Sequence, residues 1–98
     1  MGSYTSKIYY KLVFFVPEPA LEACKKAVFA TSAGDYPGPG KYTEVCWTAF
    51  GTEQFRPGDT ADPNIGSRGV LEEVKSVRVE ILCSGRNGAK KAVIAMKG

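Results

Sequence analysis

The sequence of 98 residues contains no histidine. This absence removes the commonest general base of enzymes and the commonest protein ligand of transition metals. The three cysteines, Cys24, Cys46 and Cys83, lie far apart and form no Cys-x-x-Cys pair, so we expect no metal site and no cofactor. An odd number of widely spaced cysteines is typical of free thiols in a reducing compartment.

Long apolar runs are absent as well. No run approaches the roughly 18 residues that a membrane-spanning helix needs, and the N-terminus lacks the pattern of a secretory signal. The sequence therefore predicts a soluble, cytoplasmic protein without a membrane partner. The 13 basic and 10 acidic residues are mixed along the chain, and the only basic doublets are Lys25-Lys26 and Lys90-Lys91. Without a concentrated basic stripe, no nucleic-acid partner is expected.

The residues that are present have the composition of one globular domain. Length, a hydrophobic content of 44% and a charged content of 23% predict a single domain over residues 1–98, with residues 1–6 as a flexible arm. Residues 7–16 are β-prone and apolar on both faces, which predicts a central strand or one covered by another subunit. Residues 19–33 show helical spacing, and Gly34 is suited to end that helix.

The second half of the chain alternates strands with glycine-rich connections. Residues 35–41 predict a loop, and 42–50 a strand that stops at Gly51. Residues 51–73 predict a long loop, which in a compact domain is usually functional or disordered. Residues 74–83 predict a third strand. After a turn at 84–88, residues 89–97 predict a second helix.

The resulting order is β-α-β-β-α, which is a ferredoxin-like α/β (α+β) arrangement whose final strand is missing. In that arrangement the first and third strands lie side by side, and the fourth strand would lie outside the first. The first strand therefore has an open apolar edge that invites pairing with another chain. Together with the modest burial that 98 residues allow, this edge predicts self-association.

Three segments carry a resemblance to a known family: KLVFFVPEPALEACKKAVFATSAG, CWTAFGTEQFRPG and NIGSRGVLEEVKSVRVEILC. They resemble the small YqfO or Nif-three-like domain, in the form that stands alone, and the resemblance covers residues 10–97. It implies a ferredoxin-like fold akin to the PII signalling proteins and the CutA proteins. It also implies a trimer in which the sheets face inward.

The sequence departs from that family in two respects. Members typically continue past the second helix with a His-Pro-Tyr-Glu-Glu segment and a last strand, whereas this chain stops at Gly98. Larger relatives fuse the domain to a dinuclear-metal, cyclohydrolase-like body rich in histidine, and here there is none. The resemblance thus implies a domain without catalysis of its own.

We weigh two non-catalytic functions. In the first, the protein is a binding or regulatory module that holds a small anionic ligand in a cleft between subunits. The candidate ligand-binding residues are Gly51, Gln54, Phe55 and Arg56, because an amide, a stacking ring and a guanidinium suit phosphate or carboxylate. A plainer interpretation is that Phe55 holds the loop to the core and Arg56 pairs with Glu53 or Asp59.

In the second, the protein is a structural oligomerisation domain that assembles with or caps a partner such as a separate hydrolase. An enzyme is a third and less favoured hypothesis. Its candidate groups are Glu44, Cys46, Arg56, Arg78 and Glu80, but a nucleophile needs a base within reach and no histidine can serve.

Overall fold

The structure, a computed structural model, describes residues 8–35 and 42–97. Its elements confirm the predicted order: β1 is Tyr9–Val16, α1 is Leu21–Phe29, β2 is Trp47–Phe55, β3 is Glu72–Ser84 and α2 is Gly85–Lys97. A single 3-10 turn, Glu18–Ala20, joins β1 to α1. The predicted flexible arm, most of the predicted loop 35–41 and Gly98 lie outside the described residues.

The boundaries of β2 differ most from the prediction. The strand starts at Trp47, and the preceding segment turns away because Glu44 has a φ of +56° and the Val45 N–H donates to the Gly34 carbonyl at 2.9 Å. Gly51 does not end the strand, since it pairs with Ser76 in the ladder to β3. The predicted 51–73 loop is therefore wrong at both ends, and only residues 56–71 connect the two strands.

Both helices also differ from the prediction at one end. α1 ends at Phe29 and is followed by turns that reach Gly34, so the predicted helix is too long at its C-terminus. α2 begins at Gly85, so the turn predicted at 84–88 is wrong: Ser84 ends β3 and residues 85–88 are helical. Gly85 has a φ of +72°, which lets the chain pass from β3 into α2 without an intervening loop.

The sheet has three antiparallel strands in the order β1-β3-β2. Tyr9 pairs with Ser84 at one end of the β1–β3 ladder and Val16 pairs with Val77 at the other. β1 and β3 are thus neighbours, as the ferredoxin-like arrangement requires. Within the described residues no strand pairs with the other edge of β1.

Both helices cover one face of this sheet. The core there is formed by alternate residues of β1 and β3 together with Leu21 and Val28 of α1 and Ala92 of α2. Val28, Val79, Cys83 and Ala92 have no solvent exposure. This period-two burial explains why β1 and β3 are rich in β-branched and aromatic residues.

The β2–β3 hairpin extends well beyond the helices. β1 pairs with β3 only as far as Val77, whereas β2 and β3 remain paired to Phe55 and Glu72. We call residues 52–75 the hairpin arm. It makes the molecule 63 Å long and 24 Å wide, with a radius of gyration of 17.2 Å. A compact chain of this length would have a radius near 13 Å, so the arm dominates the shape.

Candidate functional site

The four predicted ligand-binding residues lie at the arm base, which we define as residues 51–56 together with the paired residues 72–75 of β3. Gly51, Gln54 and Phe55 belong to β2, and Arg56 follows directly after it. Successive strand residues point to opposite faces, so Gln54 faces away from the side shared by Gly51 and Phe55. Gln54 and Arg56 are exposed and Phe55 is half-buried. The fold of one chain therefore spreads these residues along the arm and does not gather them in one cavity.

Phe55 packs within the arm itself. It lines a shallow apolar hollow of about 340 Å³ together with residues of the connecting loop, among them Pro57, Ala61 and Ile65. The loop is held by Arg68, whose Nε donates to the Ala61 carbonyl at 2.6 Å. The ring thus lies against the loop and not against the core, where the plainer interpretation placed it.

Arg56 is exposed, and the structure places no carboxylate against it among the described residues. Neither Glu53 nor Asp59 forms an ion pair with its guanidinium, so that part of the plainer interpretation is wrong. Glu53 instead accepts a hydrogen bond from Ser76 Oγ at 3.2 Å. The guanidinium of Arg56 is consequently available to a ligand or another chain.

Gly51 lies between two depressions of the surface. One, of about 360 Å³, adjoins the start of the helical layer and is lined by Phe50, Thr52 and Lys75 among others. The other, of about 100 Å³, lies beside Arg78. An added Cβ at Gly51 would meet no atom within 4 Å, so the glycine leaves space on the strand. The sequence did not single out Lys75, because only the ladder register brings it to Thr52.

The face of the sheet opposite the helices is uncovered. Its side chains come from alternate residues of all three strands, and the large apolar ones include Val13, Phe15 and Trp47. These three are 37%, 56% and 54% exposed. We call this surface the open sheet face. Apolar groups in such a cluster are typical of an interaction surface.

A small ion-pair network crosses the open sheet face. Glu80 accepts from Lys11 Nζ at 3.1 Å and from Arg78 Nε at 3.0 Å. The Arg78 guanidinium also lies 5.8 Å from the centre of the Phe15 ring, within the range of a cation–π contact. The hydrogen bonds from Lys11 and then Arg78 lower the pKa of Glu80, so its carboxyl is ionised at neutral pH.

The candidate catalytic groups are not brought together. Glu80 and Arg78 share the open sheet face, but Cys46 packs against the core and Glu44 lines a separate groove beside α1. Burial raises the pKa of the Cys24 and Cys83 thiols, which disfavours the nucleophilic thiolate. Across residues 8–35 and 42–97 no cluster of three or more acidic or thiol side chains is placed to hold a metal ion.

A second apolar surface lies where α2 meets the free edge of β1. We call it the α2 groove, and its volume is about 400 Å³. It is lined by Tyr10, Arg86, Ala89, Lys90, Val93 and Ile94. Its floor is apolar and its two charged groups are both cationic.

No helix in the described part of the chain has the length and hydropathy to cross a membrane.

Together, the strand order and the one-sided helical layer define a ferredoxin-like α+β domain. A structure described as a Bacillus cereus protein related to NIF3 matches 96% of this chain with a TM-score of 0.73 and 29% identity. The match takes up 22% of that protein. No family model matches the chain.

Curated relatives point the same way. A protein of Mycobacterium leprae named GTP cyclohydrolase 1 type 2 homolog is 39% identical over 87% of this chain and 21% of its own length. A protein of the same name from Halalkalibacterium halodurans is 32% identical over 93% of this chain and 23% of its own length. The chain is therefore a NIF3-like domain. It spans about a fifth of the curated relatives it matches.

Proposed function

We propose that this NIF3-like domain is a self-associating, non-catalytic binding or regulatory module of the PII and CutA kind, working in the cytoplasm. The observation that carries the proposal is the open sheet face, where Val13, Phe15 and Trp47 remain in contact with water. Burying a side chain of this size contributes about 1.5–3 kcal/mol. Covering the face with further copies of the chain removes that exposed surface.

The ion-pair network supports copies of the chain as the covering partner. Lys11, Glu80 and Arg78 already neutralise one another in part within one copy, so the face is not strongly charged when it meets an identical face. The resemblance to PII and CutA proteins favours a trimer with the sheets inward. Such an assembly places the bases of neighbouring arms close to the interface.

The ligand in this proposal is a small anion bound at the arm base, in a cleft that a neighbouring copy completes. Arg56 contributes an exposed guanidinium, which suits phosphate and carboxylate groups. Gln54 adds donors and acceptors on the same strand end. Lys75 and Thr52 add an ammonium and a hydroxyl in the depression beside Gly51. The ladder register puts Gln54, Thr52 and Lys75 on the same side of the arm. Because the depression there is shallow and open, a second copy is needed to close the site.

The names of the relatives define a second candidate. They are called GTP cyclohydrolase 1 type 2 homologs, and this domain corresponds to about a fifth of their length. A domain that forms a minor part of a larger protein can serve to assemble that protein or to cap a partner hydrolase. In both candidates catalysis resides outside this chain, consistent with its lack of histidine.

Self-association is tested by light scattering over a dilution series, combined with the fluorescence of Trp47, the only tryptophan. We expect the mass of a trimer at high concentration and a blue-shifted emission as Trp47 becomes covered. Phe15→Glu should prevent both changes. Phe50→Glu is the matched control, because Phe50 is 63% exposed on the opposite face of the sheet. A monomer at all concentrations, or an association without a Trp47 shift, would contradict the proposed interface.

Ligand binding is tested by thermal unfolding in the presence of nucleotides and of small carboxylates. A ligand that binds the folded state raises the unfolding temperature, and the rise grows with the logarithm of the ligand concentration above its Kd. We expect one class to raise it, Arg56→Ala to abolish the rise, and the exposed Lys26→Ala control to retain it. An assembled protein that no ligand shifts would favour the assembly candidate.

A further inference from the structure

The hairpin arm is an element that its own chain leaves uncovered. Between residues 52 and 55 and residues 72 and 75 it is a two-stranded ribbon, beyond the reach of β1. A two-stranded hairpin is marginally stable in water without a packing partner. Near the tip, Ile65, Val70 and Leu71 are 54%, 49% and 47% exposed. The arm therefore presents apolar side chains that no part of the described fold covers.

The arm is also acidic. Residues 52–75 contain five carboxylates, two guanidinium groups and the ammonium of Lys75, a net charge of −2 in a chain whose total is +3. The carboxylates are Glu53, Asp59, Asp62, Glu72 and Glu73. Asp59 and Asp62 are exposed in the connecting loop. Glu73, the second residue of β3, is exposed as well. A partner for the arm must then supply both apolar surface and positive charge.

The α2 groove offers that combination. Helix α2 carries four basic residues and no acidic one. Two of the four, Arg86 and Lys90, border the groove, while its floor includes Val93 and Ile94, and Ile94 is 71% exposed. Val13, Phe15 and Trp47 are also exposed, but they lie on the open sheet face, where the charges are already paired. The groove is the surface of this chain that best matches the arm in charge and polarity.

The arm of a molecule cannot reach its own groove. The groove lies beside Tyr10, which pairs with Cys83 near the C-terminal end of β3. The loop of the arm joins the other end of β3, at Glu72. Glu72 and Cys83 are eleven residue steps apart along β3, which corresponds to a distance of roughly 37 Å. The structure is 63 Å long, which exceeds the length of β3 itself, so the loop extends the hairpin and does not fold back along the sheet to the groove. Any contact between the two surfaces must therefore join two molecules.

We propose that the acidic hairpin arm of one copy docks into the basic α2 groove of the next copy. This inference rests on the proposed self-association and names a second interface for it, separate from the open sheet face. The contact is head-to-tail, because the arm and the groove are different surfaces. Such contacts close into a ring when the rotation between copies allows it. Each subunit then covers its neighbour's edge strand.

A charge reversal at one of two adjacent lysines tests the docking. Lys90 lines the groove, whereas Lys91 is exposed on the same helix outside the groove lining. Lys90→Glu and Lys91→Glu change the net charge equally. We expect Lys90→Glu to raise the concentration of half-association about tenfold, since charges in a contact act locally and steer it. Lys91→Glu should leave it nearly unchanged, and added salt should weaken the wild-type association.

The arm is tested by restoring the charge pair. Asp59→Lys with Asp62→Lys should weaken association as Lys90→Glu does, and combining all three changes in one chain should recover much of the loss. A zero-length carbodiimide cross-link between Lys90 and an arm carboxylate should form in the wild type. Mixing isotope-labelled and unlabelled protein should show that the linked peptides come from different molecules.

The outcomes separate this inference from the proposed function. If the protein associates with the Trp47 shift but Lys90→Glu behaves like Lys91→Glu, the docking is overturned and the open-face interface stands. Failure of the triple variant to recover association would also contradict the docking. If the wild type stays monomeric at every concentration, both the self-association and the docking are wrong.

Discussion

Gly34 is the residue where the end of the helical segment meets the sheet. Its φ is +84°, its N–H donates to the Leu82 carbonyl at 2.8 Å, and its carbonyl accepts from the Val45 N–H at 2.9 Å. A Cβ added here would lie 2.8 Å from the Phe29 ring and 3.0 Å from the Val45 carbonyl oxygen. Neither the conformation nor the space suits another residue.

We therefore expect Gly34→Ala to lower the free energy of unfolding by about 2–3 kcal/mol, from backbone strain and steric overlap together. Gly69→Ala is the matched control, because Gly69 has a similar φ of +76° but no atom within 4 Å of an added Cβ. It should cost about 1 kcal/mol. Denaturant unfolding of both variants gives the comparison, and equal losses would show that the contact with Phe29 and Val45 has no effect.

Glu80 predicts a pH dependence of stability. Its pKa in the folded protein is lowered by the hydrogen bonds from Lys11 and Arg78. A carboxyl with a lowered folded-state pKa stabilises the fold above its unfolded-state pKa of about 4.3, and this contribution is lost as pH falls through the folded-state value. The stability difference between wild type and Glu80→Gln should thus be constant near neutrality and shrink below about pH 4.

Urea unfolding at several pH values measures that difference. Glu22→Gln serves as a control, since Glu22 is 82% exposed and its ion pair with Lys25 lies at the surface. High salt should reduce the Glu80 effect, because the groups lie at the surface. A difference that persists unchanged at pH 3 would contradict the assigned ion pairs.

At the scale of elements, β3 has two environments along its length. From Val77 to Glu80 it lies between β1 and β2, from there to Cys83 it pairs with β1 alone, and alternate side chains along this whole segment are buried beneath the helices. From Glu72 to Lys75 it has only β2 beside it and no helix above it. One strand therefore joins a buried segment to an exposed one.

We compare the backbone amides that form hydrogen bonds within the sheet. Those of residues 77–83 should exchange with solvent at least about 100-fold more slowly than those of residues 72–75, because local opening of the exposed ribbon needs less free energy. Hydrogen exchange followed by NMR, at a concentration below association, makes the measurement. Corresponding amides of β2, before and after Gly51, provide an internal comparison. Uniform protection along β3 would show that the arm is as stable as the body.

The element order and the strand pairing were predictable from the sequence, because β1 and β3 carry strong β-prone patterns and the segment after β1 has helical spacing. The bounds of β2 were not. Gly51 predicted the end of the strand, yet the ladder to β3 continues through it because Ser76 and Lys75 offer backbone partners that local sequence does not reveal. The helical turn at Gly85 was missed for a similar reason, since Gly85 and Gly88 are typical of turns.

The candidate site shows the same limit. Gln54, Phe55 and Arg56 are adjacent in sequence, and adjacency suggested a compact tip. Because they lie at the end of a strand, their side chains diverge instead. In the sequence, the open sheet face was indicated only by the two apolar faces of β1. The α2 groove was indicated only by the positions of the basic residues along α2. Which residues share a surface depends on register, and register is a property of the folded chain.

At the scale of the whole molecule, the hairpin arm accounts for the elongated shape. None of the core side chains lies between residues 56 and 71. Replacing 56–71 by an Asn-Gly turn should therefore leave the body folded. Small-angle scattering of this variant below its association range should give a radius of gyration well below the 17.2 Å of the full chain, toward the ~12 Å of a compact chain of its length.

The same variant should keep the unfolding temperature of the monomeric body within a few degrees, since surface segments contribute little to stability. Its circular dichroism should retain the helical signal of α1 and α2. Loss of folding would show that the arm stabilises the body, and an unchanged radius would mean that the arm folds back onto it in solution.

β3 runs without interruption from beneath the helices into the arm, so no hinge separates the two parts. The length of the arm is set by the number of residue pairs in the β2–β3 ladder beyond Val77. Two residues added to each strand would carry the tip about 7 Å farther and keep every side chain on its original face. Paired insertions in a hairpin could thus change the spacing between neighbouring subunits while the core stays the same.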